Sequence, residues 1–150
     1  MLAAQPIFTI HAELDDILRF GGTPYGERRV IHIIGGTVSG ARLKGRILPG
    51  GADWQIIRID GAADIKARYT IEAGDGALVL VNSEGLRHGP PDVIERLSRG
   101  EAVDPALYYF RTVMRFETAA QSLAWLNKIL AIARGERLAR AVKLDVFEVT

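Results

Sequence analysis

Between residues 53 and 117 the chain places Asp53-Trp54, Arg58, Arg68, Tyr109, Arg111 and Glu117 at strand-like spacings, and Trp125 follows soon after. An arginine offers a planar fork of donors that matches a carboxylate, phenolate or enolate oxygen. An indole offers a large flat wall with one donor, suited to an aromatic or conjugated guest. A carboxyl group buried beside them would hold its proton more tightly and could act as a general acid or base. On one cavity wall, Trp54, Arg58, Arg68, Tyr109, Arg111 and Trp125 would bind a small aromatic or oxygen-rich molecule. Glu117 or Asp53 would then move protons in a cyclisation, isomerisation, hydration or elimination, with arginines steadying the oxyanion.

Each of these residues also has a plainer reading. Arg58 with Asp60 and Lys66 with Glu72 make weak surface pairs if their face meets water. Arg111 can bridge to Glu117 along a barrel wall, and Glu117 ends a strand where it can serve the positive end of a following helix. Asp53 after two glycines fits a turn. Asn127 fits a helix cap, and Trp125 fits packing at a barrel mouth.

Other chemistries lack their residues. The chain has no cysteine, which removes disulfides, thiol nucleophiles and thiolate metal sites. His11, His32 and His88 show no metal-ligand spacing, so no metal site is expected. Ser39, Ser83, Ser98 and Ser122 lie in no GxSxG context. The glycine pairs form neither GxGxxG nor a P-loop, so no nucleotide or other cofactor is expected. Nineteen basic residues stand against 18 acidic ones, scattered along the chain, where a nucleic-acid binder carries a basic stripe. No apolar run approaches membrane-spanning length, and MLAAQPIFTIHAEL lacks the basic start and apolar stretch of a secretion signal. A cytoplasmic protein with a small-molecule partner is the expectation, with a homodimer the first oligomer to test.

The elements that must position these residues are short. At 150 residues, 48% hydrophobic and 25% charged, one globular domain over residues 1–150 is expected. Sixteen glycines punctuate runs rich in Ile, Val, Thr, Tyr and Phe, a pattern of antiparallel strands in a sandwich or barrel. Strands are read at Pro6–Leu14, Glu27–Ile34, Ala41–Leu48 (broken at Gly45), Trp54–Asp60, Ile65–Glu72, Ala77–Ser83, Tyr108–Glu117 and Val142–Val149. Hairpin turns fall at Asp60-Gly61 and Asp75-Gly76. One helix follows Pro90-Pro91 and ends by Gly100. A second starts at Thr118, with Gln121 completing a capping-box pattern. Propensity alone would carry it through Lys128–Arg140.

Taken in order, Gly50-Gly51-Ala52-Asp53-Trp54, Arg58-Ile59-Asp60-Gly61, Ala67-Arg68-Tyr69, Asp75-Gly76, Tyr109-Phe110-Arg111-Thr112, Phe116-Glu117-Thr118 and Trp125-Leu126-Asn127 resemble the family called domain of unknown function 3237. The resemblance runs from about Phe20 to Val149. It implies a mainly β fold: a single antiparallel, lipocalin-like barrel with two short helices. It also implies that the second helix stops near Asn127 and that Lys128–Gly135 is a strand. The family label carries no activity. Three functions stay open: a lumenal binder of a small molecule, a cofactor-independent acid–base enzyme in the same cavity, and a structural or interaction protein whose barrel is filled.

Overall fold

Phe8, Ile10, Ala12 and Leu14 are buried, while His11 and Glu13 between them are exposed. This period of two gives a strand with one face on a core, and it recurs along the chain. The computed structural model describes residues 1–150. Its strands are β1 Phe8–Thr23, β2 Gly26–Ser39, β3 Gly45–Ile47, β4 Gly51–Ile57, β5 Ala63–Ala73, β6 Leu78–His88, β7 Tyr109–Thr118, β8 Ala131–Arg137 and β9 Ala141–Glu148. Helix α1 spans Pro91–Ser98, and Pro105–Leu107 and Gln121–Lys128 form 3₁₀ segments.

Each strand pairs antiparallel with the next in an up-and-down order. β3 and β4 are successive pieces of one stave, since both pair with β2 on one side and β5 on the other. β9 returns to pair with β1, Phe8 opposite Val146 and Ala12 opposite Val142, which closes an eight-stave barrel. Closure leaves no free sheet edge.

The two ends of the barrel differ. At the end where β7 finishes, the interior is filled by Phe8, Ile10, Ile71, Val79, Val81, Met114, Phe116 and Val146. The 3₁₀ segment after β7 closes this end with Leu123 and Leu126. Its position is fastened by Asn127, whose side chain accepts from the Thr118 N–H at 2.8 Å and donates to the Thr118 carbonyl at 2.9 Å. At the opposite end, α1 follows β6 and lays Ile94, Leu97 and Ser98 over the mouth.

Several expected boundaries shift. The strand starting at Pro6 runs on to Thr23, and its partner to Ser39, because long-range pairing with two-to-one irregularities carries both strands past their charged and glycine positions. Only Gly45–Ile47 of the expected Ala41–Leu48 strand pairs. The expected helix after Thr118 is a 3₁₀ segment, Gln121–Lys128, ended by an extended Ile129. The strand expected over Lys128–Gly135 is β8, Ala131–Arg137. No helix is long and apolar enough to cross a membrane.

Candidate functional site

The mouth under α1 holds a cavity of about 390 Å³, bounded by Arg19, Glu27, Arg29, Arg87, Arg137 and residues of α1 among others. Beneath it lies a narrower chamber of about 50 Å³ lined by Asp53, Gln55, Tyr69, Ser83, Thr112, Phe110 and aliphatic side chains. Ile31, Arg87 and Arg137 line both, so the two spaces meet at the arginines. Besides two tyrosines, the chain buries only Gln55, Ser83 and Thr112 as polar side chains, and all three line this one chamber. Buried polar groups are costly unless partnered, so their concentration in one place marks it.

Local pattern explains who points inward. On β2 the lumenal series is Ile33, Ile31, Arg29; on β6 it is Val79, Val81, Ser83, Gly85, Arg87; on β8 it is Ala131, Ala133, Gly135, Arg137. Each series begins apolar in the filled half and ends in an arginine at the open half. On β4, Asp53 and Gln55 share the lumenal face.

These groups are wired together. Gln55 Oε1 accepts from Arg29 Nε at 3.0 Å and from its Nη2, while Gln55 Nε2 donates to Asp53 Oδ2 at 3.0 Å. Asp53 Oδ1 accepts from the Lys66 N–H at 2.9 Å. Arg137 is anchored by Nη1 on the carbonyls of Leu138 and Ala141, at 2.8 and 3.1 Å. Arg87 differs: no hydrogen bond holds its guanidinium, whose surroundings are burial, the like charge of Arg137, and Asp53 and Tyr108. Its guanidinium carbon lies 5.6 Å from the Phe110 ring centroid.

Burial first, and then neighbouring guanidinium groups, lower Arg29 and Arg87 to about 10; burial lowers Arg137 as well. All three remain cationic at neutral pH. Burial raises the Asp53 carboxyl above its ordinary value, against the pull of its two N–H donors and of Arg87 and Arg29. Arg29, Arg87 and Arg137 thus face Asp53, with Glu27 also beside Arg29, which leaves positive charge in excess. Such a field accommodates a further negative charge.

The structure places the residues singled out from sequence elsewhere, Asp53 excepted. Trp54 lies on the outer face, 43% exposed. Arg58 is exposed in the turn after β4 and pairs with Asp60. Arg68 and Glu117 border a shallow groove on the outer wall, and Arg68 Nε donates to Asn82 at 2.9 Å. Arg111 leans on Tyr109, 5.4 Å from its ring, and donates to the Phe110 carbonyl. Tyr109 itself stacks on His88 outside the barrel. Trp125 carries the Arg42 guanidinium at 3.7 Å and packs against the filled end. The division of each strand into two faces was legible; the arginine-bearing faces of β5 and β7 turn outward because the opposite faces carry the apolar residues.

With this geometry in view, relatives can be placed. The profile of a family described as protein of unknown function, DUF3237, matches residues 2–149. The chain belongs to this family. A UPF0311 protein of Bradyrhizobium diazoefficiens is 46% identical over 148 residues, 99% of this chain and 97% of that protein. A conserved protein of unknown function from Rhodopseudomonas palustris has a crystal structure that superposes with a TM-score of 0.93 at 41% identity, covering 100% and 98% of the two chains. A β-barrel-like protein from Acinetobacter baumannii gives 0.86 at 39% identity, covering 100% and 97%. The DUF3237 assignment agrees with the barrel, and it leaves the chemistry to be argued from the pocket.

Asp53 gives this DUF3237 barrel a pH signature. Because its carboxyl is raised on folding, the folded chain binds that proton more tightly than the unfolded chain. The contribution to stability is therefore greatest below about pH 4, the ordinary aspartate value, and is lost as pH rises through the folded value. Melting temperatures of wild type and Asp53→Asn, measured from pH 3 upward, should diverge across that window, with the variant curve flatter there. Parallel curves would show that the carboxyl is not desolvated in the lumen.

Proposed function

We propose that the protein binds a small organic anion, aromatic or otherwise oxygen-rich, in the open half of the barrel, with its negative group at Arg87, Arg29 and Arg137. The observation that carries this reading is the Arg87 guanidinium, which has no hydrogen-bond partner in the chain and borders both the mouth and the inner chamber. In the free protein this guanidinium has only water at the mouth to bond, and a carboxylate or phenolate supplies direct charge-assisted bonds in its place. Apolar side chains of the mouth and the chamber, among them Ile31, Ile57, Phe110 and Leu144, receive the body of the guest.

Titration calorimetry with benzoate and benzamide, which share shape but not charge, tests the reading. Benzoate should bind with a dissociation constant in the micromolar to low millimolar range, and benzamide at least tenfold more weakly. Equal affinities, or no binding by either, would overturn it.

One observation favours a second reading, acid–base catalysis in the same place. Asp53 lies at the chamber with its carboxyl raised, beside guanidinium groups able to steady a developing oxyanion. In that reading Asp53 moves the proton, and Glu117, on the outer wall, does not contribute.

A further inference from the structure

The inner chamber contains a second unmet group. Tyr69 is only 3% exposed, and its hydroxyl is the one buried side-chain polar atom in the chain without a hydrogen-bond partner. Burial pushes that hydroxyl well above its ordinary value, so it stays protonated and able to donate. Close by, the Ser83 and Thr112 hydroxyls share a hydrogen bond of 2.8 Å. Two hydroxyls carry two protons and their mutual bond uses one, so whichever donates, one proton is left to offer. The chamber therefore presents two uncommitted O–H groups, that of Tyr69 and one of the Ser83–Thr112 pair, set among Ile65, Ala67 and Leu144.

Register fixes where this lies relative to the arginines. Tyr69 faces Val81 across the β5–β6 ladder, six positions along β6 from Arg87. That is about 20 Å of strand at the usual rise. Both side chains line the same chamber, so a guest that enters past the arginines meets the Tyr69 hydroxyl at the deep end.

We propose that the Tyr69 hydroxyl forms an oxygen subsite, donating to a carbonyl, phenol or ether oxygen at the end of the ligand remote from its anionic group. The ligand class is then a small bifunctional acid: a charge held at the arginines and a neutral oxygen acceptor at the deep end. This subsite rests on the lumenal anion reading above.

Two acids of matched shape, 4-hydroxybenzoate and 4-methylbenzoate, test it by calorimetry on wild type, Tyr69→Phe and Arg87→Gln. Wild type should prefer the hydroxyl acid about tenfold, the scale of one hydrogen bond. Tyr69→Phe should erase that preference while leaving 4-methylbenzoate affinity within twofold. Its ligand-free melting temperature should be unchanged or higher, since the lost hydroxyl has no partner. Arg87→Gln should weaken both acids alike and keep the preference. Equal affinities in wild type, or a preference that survives Tyr69→Phe, overturns the subsite while the Arg87 dependence leaves the anion reading standing. Failure of both acids to bind wild type at millimolar concentration overturns both.

Discussion

Arg87→Gln should weaken benzoate binding by about 30-fold, while Arg58→Ala and Arg68→Ala leave it within twofold. A hydrogen-bonded contact between charged groups contributes about 2 kcal/mol in a desolvated site, which corresponds to that factor. Arg29 is partly committed to Gln55 and Arg137 to two carbonyls, so Arg87 is the guanidinium with its full fork to give. Glutamine keeps part of the stem against Phe110 but loses the charge and the bidentate geometry. The free protein should respond in the opposite sense. Arg87 is disfavoured by burial and by Arg137, so its replacement should leave the ligand-free melting temperature unchanged or raised. Affinity falling while stability holds is the signature of a binding group; a structural arginine would lower both. Calorimetry and thermal melts on the same samples read the two quantities together.

Gly85→Ala should destabilise the barrel by about 3 kcal/mol, at the upper end of overpacking effects, and lower its melting temperature by about 10 °C for a chain of this size. Gly85 lies on β6 opposite Thr112 of β7, two residues before Arg87. A Cβ built there would sit 2.0 Å from the Arg111 carbonyl oxygen and 2.6 Å from the Thr112 Cα, both backbone atoms that cannot swing aside. The missing side chain thus lets β7 close onto β6 immediately beneath the arginine cluster. Gly22→Ala is the matched control, since nothing lies within 4 Å of its Cβ position. Urea unfolding of the two variants should separate them clearly; equal losses would place the close approach elsewhere.

These two residues show what sequence reveals and what it hides. The alternation in Phe8–Leu14, Ile65–Glu72 and Tyr109–Thr118 divides each strand into faces, and the structure keeps that division. On β5 and β7 the lumenal face follows from the apolar residues, and Arg68 and Arg111 lie opposite them. The lumenal arginines were harder to see because each stands at the end of its strand, where the apolar run has stopped. A signal was present: stepping by two from Ile33 and Ile31 reaches Arg29, from Val81 and Ser83 reaches Arg87, and from Ala131 and Ala133 reaches Arg137. Gly85 and Gly135 interrupt two of those series and read as strand breaks. Only the neighbouring strand shows that they are close approaches inside continuous strands. Asp53 was visible as a candidate, but its carboxyl meets Lys66 and Gln55 instead of its own turn, because Gly51–Ile57 pairs on both sides.

The interior is only half filled, so a barrel packed by its own side chains describes one end of it. Aliphatic and aromatic side chains do pack one half, with Leu126 as its stopper. The other half combines the buried polar side chains, the orphaned hydroxyl and the unpaired guanidinium, features that self-packing alone would select against.

The most direct measurement is the position of a bound heavy-atom acid: crystals grown with 4-bromobenzoate, with the bromine located by anomalous scattering. One site inside the barrel is expected, with the carboxylate on Arg87 and the bromine toward Tyr69. Bromine on the outer wall beside Arg58, Arg68 or Arg111, with the lumen unliganded, would contradict it.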